Sequence, residues 1–417
     1  MTNNEATDYD IVIAGGGMIG TCLALALAPL RLHVAVVEPV VADASSQPSF
    51  DDRSTALSRS TQRMFEAMQL WPQIKEAATA IRHIHVSDKG RFGFSHIDAS
   101  EQQVEALGYV VINRTLGQVL HAATGKESSI DWLAPARITS VRPAAGSRIV
   151  TIESAEGSRQ LSCRLLVAAD GAKSSVRDML GISASQRAYD QLAVVGNLQP
   201  EKEIDGVAYE RFTSSGPLAL LPIRDNRAAF VWTLQTDAAE AAIQLSDADF
   251  TERLQSEFGQ RLGRFTKIGK RAAYPLVLSR ANGLTADRAV LVGNAAHGLH
   301  PVAAQGYNLG MRDVAALCDC LYDAQQASEG DNHYFDPGSA VMLETYAEWR
   351  RADQQKLLTF TDGLVRLFGD TRAPVKALRN AGMLAFDLLP GVRRAFARHT
   401  MGLAGRLPRL SRGVPLK

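Results

Sequence analysis

No stretch of this chain reaches the roughly 20 uncharged apolar residues that a helix needs to cross a bilayer, so the sequence does not read as membrane-spanning. Charge of one sign is not in excess either. Lys+Arg 45 against Asp+Glu 44 leave a formal net charge of +1, which creates no global field for nucleic acid. Cysteine is scarce: Cys22, Cys163, Cys318 and Cys320 form no CxxC pair and no Cys/His cluster at zinc spacing. Neither a disulfide framework nor a metal site is indicated, and a reducing cytoplasm fits. Residues 1–8, MTNNEATD, are polar and acidic rather than basic and then apolar, so they do not read as a signal peptide. Internal repeats and low-complexity tracts are missing. What remains is 417 residues, 46% hydrophobic and 21% charged, enough for two packed domains.

The stretch YDIVIAGGGMIGTCLALALA opens with a short β-branched apolar run, Ile11 to Ala14, that reads as a buried parallel strand. Gly15-x-Gly17-Met18-Ile19-Gly20 follows, then Leu23, Ala24, Leu27 and Ala28 at helical spacing. Such glycines have separate jobs: Gly15 for the tight turn, Gly17 for backbone approach to a pyrophosphate, Gly20 for close helix–strand packing. The helix then presents unpaired N–H groups to the phosphates. A second strand, HVAVVE, ends at Glu38, whose carboxylate can accept hydrogen bonds from ribose hydroxyls. The alternative is a purely structural βαβ turn, and the fingerprint alone does not separate FAD from NAD(P).

Two further strand ends carry small or polar signatures. RLLVAADGAKSSVRDMLGI (164–182) has an apolar strand, Leu165 to Ala169, followed by Asp170-Gly171 and a serine-rich helix start. Polar groups at a strand's carboxyl end lie where open α/β sheets bind ligands, although Asp and Ser are also ordinary helix caps. Further along, a strand from Arg288 to Val292 leads into Gly293-Asn294, a loop with Gly298, Gly306 and Gly310, and a helix carrying Met311 to Leu317.

Together these motifs resemble the FAD-dependent aromatic hydroxylases of the p-hydroxybenzoate hydroxylase type. The likeness spans nearly the whole chain and includes DDRSTALS (51–58) and NRTLGQVL (113–120). It implies an α/β fold: a Rossmann-like FAD-binding domain (8–80, 105–185 and 275–345), an inserted antiparallel-sheet substrate domain (81–104 and 186–274) and a C-terminal helical region (346–417). It also implies non-covalent FAD, NADH or NADPH as electron donor, O₂ as co-substrate, and oxygen transfer to a phenol ring through a C4a-hydroperoxide. The resemblance assigns cofactor contact to Gly15, Gly17, Met18, Ile19, Gly20, Glu38, Arg53, Arg114, Asp170, Gly171, Gly293, Asn294, Pro301, Gln305, Gly306, Tyr307 and Asn308. It names no general base. Arg53, His297 and Pro301 are the catalytic candidates, with His300 beside them, although a histidine in such a loop is commonly a packing residue. Asn294 replaces the family's usual Asp but can still hydrogen-bond a hydroxyl; Ala304 stands where many relatives have Gly.

Asn294, DDRSTALS, YERFTSSGPLALLPI (209–223) and the arginine-rich end resemble the ubiquinone-biosynthesis hydroxylases that act on a 2-polyprenyl-6-methoxyphenol. A sibling acting at another ring position, or a hydroxylase of a soluble aromatic, is the alternative. In residues 186–274 alternating segments read as an antiparallel sheet, with Phe212, Leu220, Pro222 and Trp232 either facing the substrate or forming the sheet's core. Residues 327–340 read as a surface loop, followed by a long amphipathic helix or helix pair. From Thr371 to Lys417 there are ten Lys/Arg and one acid, Asp387, interleaved with apolar residues. Such a segment suits peripheral contact with an anionic membrane or a ubiquinone-biosynthesis complex, or else a solvated basic face.

Overall fold

The computed structural model describes residues 7–41, 51–89, 94–298, 305–330, 335–369 and 390–416. Strand β1 (Tyr9–Ala14), helix α1 (Met18–Leu27) and strand β2 (Val34–Val37) form the opening unit. β1 pairs in parallel with β2 on one side and with Gly157–Ala168 on the other. Ile11, Val12 and Ile13 are fully buried on both faces, as parallel strands between helix layers require. The same eight-stranded sheet runs outward through Ala289–Leu291 at one edge and Ile130–Leu133 at the other. The carboxyl ends of β1, Gly157–Ala168 and Ala289–Leu291 therefore lie side by side, each followed by a glycine-bearing turn.

The second sheet has nine strands. Ala184–Pro200, Val207–Thr213, Gly216–Ile223, Arg227–Gln235 and Ala272–Ala281 make up most of it, and His83–Asp88 with Phe94–Asp98 extend one edge. At the other edge His297–Gly298 pairs with Ala272–Ala281, so the sheet continues into the turn after Gly293. A three-stranded sheet, with Ser54–Ser58 paired to Gly108–Ile112 and that to Thr79–Ile81, lies between the two. The chain thus has the α/β class that the sequence implied, but the second sheet is not wholly antiparallel, since Val207–Thr213 pairs in parallel with His83–Asp88, and it runs past residue 274 through Ala272–Ala281 and His297–Gly298.

Strand alternation decides which residues of the second sheet face which way. Leu220 and Trp232 are buried in a cluster with Phe250 and Phe258, under the helices Thr236–Gln244 and Asp247–Phe258. Pro222 shares that face through its pairing with Ala228. These three are core residues on the helix-covered side, so their substrate-facing reading is not what the fold shows. Phe212 lies on the opposite face in register with Asp88. There Ala208 and Ala229 pack with Ile81 and Val110 of the three-stranded sheet.

The helix Gln305–Gly330 begins earlier than its apolar pattern suggests, and Ala340–Gly369 is one helix rather than a pair. Beyond it, Pro390–Thr400 is helical, and residues 401–416 pack back on the body: Ser60 N donates to Met401 O, and Met401, Leu410 and Leu416 are buried.

Candidate cofactor and substrate site

Each glycine of the first turn has its own constraint. Gly15 sits at φ +105, where side chains are strained, and a Cβ there would lie 2.7 Å from Ala169 O. At Gly20 a Cβ would lie 1.9 Å from Gly15 O, so helix and turn can cross only without one. Gly16, which the spacing argument passed over, has Trp132 Cζ2 only 2.6 Å from its would-be Cβ. Trp132 comes from a strand more than a hundred residues away and leaves no local signal. Its buried Nε1 has no hydrogen-bond partner among the described residues. Gly17 is the N-cap of α1 and provides no side-chain cap, which leaves the first-turn N–H groups open to an anion. Met18 and Ile19 pack on the core; Ile19 presses against Gly293 and Gly310, where a Cβ would approach it to 3.2 and 2.8 Å.

Glu38 lies at the end of β2 and is 6% exposed. Its Oε2 accepts from Gly16 N at 2.6 Å and its Oε1 from Val40 N at 3.0 Å. Those bonds fix the carboxylate and still leave acceptor capacity for ribose hydroxyls. Asp170 Oδ2 accepts from Val176 N at 3.1 Å, while its buried Oδ1 has no partner among the described residues. Cap and ligand readings of Asp170 therefore fall on different oxygens of one carboxylate. Gly171 adopts φ +89 in open space. Arg177, which the sequence reading missed, donates to Ala172 O and Ala295 O and so ties the second turn to the third.

The third turn is held from behind. Gly293 (φ +58) donates its N–H to Asp313 Oδ2 at 2.9 Å. His297 is buried to 0% side-chain exposure with Nε2 2.6 Å from the same Oδ2, so this catalytic candidate serves as a hydrogen-bonding residue inside the fold. Arg350 Nε donates to Asp313 Oδ1 at 2.7 Å, and Gln354 reaches the same oxygen at 3.3 Å. Arg350 also pairs with Asp353, which Arg312 approaches at 3.3 Å. Burial pulls the Asp313 carboxyl upward, but His297 and Arg350 overcome it and hold it at about 2. Sequence reasoning missed Asp313 and Arg350 because nothing local marks two residues 37 positions apart as a pair.

Asn294 is exposed beside this buried turn. His300, Pro301 and Ala304 lie outside the described residues. Gln305 opens the next helix, and Gly306 faces open space, with nothing within 4 Å of a would-be Cβ. Tyr307 points inward, its hydroxyl 3.4 Å from Cys22 Sγ. The side chain of Asn308 is a clamp: Oδ1 accepts from Ser58 N and Thr61 Oγ1, both at 2.8 Å, and Nδ2 donates to Ala56 O at 2.9 Å. With that side chain committed inside the protein, Asn308 can offer a ligand its backbone. Arg53 pairs with Asp51 and lies 4.7 Å over the Tyr274 ring, bridging the first domain to the second sheet. Arg114 Nε donates to Asp52 Oδ1 at 3.0 Å, and Asn197 Nδ2 donates to Asp52 O at 3.3 Å. Arg53 and Arg114 therefore flank one loop, while Gly15–Gly20, Glu38, Asp170 and Gly293 line the strand ends.

A glycine cradle with an uncapped helix, an orphaned carboxylate oxygen at the next strand end and an open glycine at the third fit a dinucleotide that carries a reactive ring. That combination defines a flavin-dependent oxidoreductase. Residues 8–361 match the FAD binding domain family, and the chain belongs to it. It is similar to a ubiquinone hydroxylase of Rhodospirillum rubrum, 37% identical over 98% of this chain and 93% of that one. Similarity extends to the 3-demethoxyubiquinol 3-hydroxylase of Escherichia coli, 30% identical over 97% of this chain and 100% of that one. In fold it matches the crystal structure of p-nitrophenol 4-monooxygenase from Pseudomonas putida DLL-E4, with a TM-score of 0.78 at 18% identity over 95% and 98% of the two chains.

Proposed function

We propose that this flavin-dependent hydroxylase acts on the ring of a polyprenylated methoxyphenol in ubiquinone biosynthesis, drawing electrons from NADH or NADPH and oxygen from O₂. The observation that carries the reading is a row of residues on the second sheet: Val86, Glu210, Ala219, Val231 and Val195, in register on one face and all only partly buried. One row away, Ala208 and Ala229 are packed against the three-stranded sheet. A mostly apolar wall that the fold leaves unfilled suits an aromatic ring with a hydrocarbon tail. The names of the similar ubiquinone hydroxylases support the substrate class, with a sibling ring position as the alternative.

Bound FAD supplies the redox chemistry. In this reading the chain's residues divide the remaining work. The first-turn N–H groups hold the pyrophosphate, Glu38 holds the ribose, and the start of the helix at Gln305 places N–H donors and a positive dipole end where negative charge collects on a reduced flavin. The apolar row orients the phenol and keeps water out. The test follows NAD(P)H oxidation by purified flavoprotein with and without a 2-polyprenyl-6-methoxyphenol analogue in detergent. Stimulated oxidation with a product gaining one oxygen is expected. Stimulation by small water-soluble phenols alone would move the substrate to a soluble aromatic.

Peripheral membrane contact through the basic C-terminal segment belongs to the same proposal, since a polyprenylated phenol is nearly insoluble. On the helix Pro390–Thr400, Arg394 and Arg398 are exposed, as is Val392 at 48%. Deleting 391–417 is a poor test because it removes the buried Met401, Leu410 and Leu416 and the Arg409–Asp323 pair. The double substitution Arg394→Glu/Arg398→Glu leaves these in place. It should weaken binding to anionic vesicles by at least about 2 kcal/mol, at about 1 kcal/mol per basic residue lost. Co-sedimentation equal to the parent's would remove the membrane from the proposal.

A further inference from the structure

Glu210 stands out within the open row. Its neighbours in register are Val86 and Ala219, and beyond Ala219 come Val231 and Val195. Among the described residues the carboxylate has no hydrogen-bond partner and no counter-ion. An acid placed in an apolar wall that the fold leaves open, with nothing to neutralise it, costs stability and is retained where it serves a ligand. Among the described residues, charged groups on this face include Asp88, one row further on, Arg227, two rows the other way, and Arg53, stacked over Tyr274. His85 and Arg211 alternate to the other side of their strands.

We propose that Glu210 is a catalytic residue that accepts the proton of the substrate's phenolic hydroxyl. The O–H bond breaks, its electron pair stays on the phenol oxygen and the proton passes to a Glu210 carboxylate oxygen. No electrons change hands in this step. The resulting phenolate is richer in electrons at its ring positions, which is the property a ring acquiring oxygen needs. Burial pushes the Glu210 carboxyl up to about 7 and is the only cause of the shift. Near neutral pH such a group is both ionised enough to accept a proton and basic enough to hold it. The inference rests on the substrate reading given above.

The experiment uses the full-length, FAD-loaded enzyme. Parent activity should rise with pH through about 7, the range in which Glu210 ionises. Glu210→Gln, nearly isosteric, should lower kcat by about a hundredfold or more and remove that limb of the profile. Glu210→Asp should restore part of both. A Glu210→Gln enzyme with the parent's kcat and pH profile overturns the proposal. Stability provides a second readout. A carboxyl raised in the fold from 4.5 to about 7 contributes stability that is full below 4.5 and is lost as pH climbs through 7. Glu210→Gln should therefore melt above the parent in alkaline buffer; melting below it reveals a partner for the carboxylate and also overturns the idea. To separate this proposal from the substrate reading, Ala219→Phe puts bulk into the same row, and Val231→Phe does so should the first not fold. If bulk abolishes stimulation by the phenol while Glu210→Gln behaves as parent, only the role of Glu210 falls. If neither change affects stimulation, the substrate face itself is misplaced and the proposal falls with it.

Discussion

Arg350→Met should lower the unfolding free energy by about 3–5 kcal/mol, the usual cost of stranding one member of a buried ion pair. Arg350 has 2% side-chain exposure and Asp313 has 0%. Removing the guanidinium leaves Asp313 with Gly293 N, His297 and Gln354 but without its buried cationic partner on Oδ1. The pH dependence follows. Asp313 is depressed in the fold from 3.8 to about 2, so it contributes stability that is present above 3.8 and is lost as pH falls through about 2. Without Arg350, His297 alone of the two groups that hold the carboxyl down remains against burial's upward pull, so acid unfolding should move to higher pH. Because Asp313 also fixes Gly293, the variant should release FAD more readily than the parent under mild urea. Asp313→Asn/Arg350→Met should regain part of the loss, since it strands no charge. A single variant within about 0.5 kcal/mol of the parent would falsify the claim that this network holds the third turn.

The sequence made some parts of this site plain and hid others, for physical reasons. The β1–α1–β2 unit was legible because its signals are local: a β-branched run, glycines at fixed offsets and a helical repeat. The strands of the second sheet were legible as alternation and turns. Which of their faces points toward the cofactor was not, because both faces carry apolar residues and a shift of one position reverses every side chain. Leu220 and Trp232 were thus left open between substrate face and core, when they pack under helices, while Glu210 and Ala219 on the opposite face escaped attention. Long-range packing was hidden in the same way. Trp132 over Gly16 and Arg350 behind Asp313 are matters of three-dimensional approach, and His297 reads as a loop histidine until its carboxylate partner is in view.

Gly17→Asp should yield a folded protein without flavin. Gly17 caps α1 at φ −68, ψ −178, extended backbone that any residue adopts, and the helix has no side-chain cap there. Aspartate is among the favoured N-cap residues, so the helix should be as stable as before or a few tenths of a kcal/mol more so. The effect on the ligand has the opposite sign. A carboxylate at this position occupies the N–H groups reserved for the pyrophosphate and repels its charge. Like-charge contact costs several kcal/mol, and about 4 kcal/mol corresponds to a roughly thousandfold loss of FAD affinity. The contrast is Gly20→Ala, whose Cβ would lie 1.9 Å from Gly15 O and must disturb the crossing of helix and turn. That variant should lose structure and flavin together, whereas Gly17→Asp keeps the parent's circular dichroism and melting profile and loses its yellow colour. A folded Gly17→Asp protein that retains a full complement of FAD would place the pyrophosphate somewhere other than the first turn, and the helix N-terminus would then be only a structural feature of the βαβ unit.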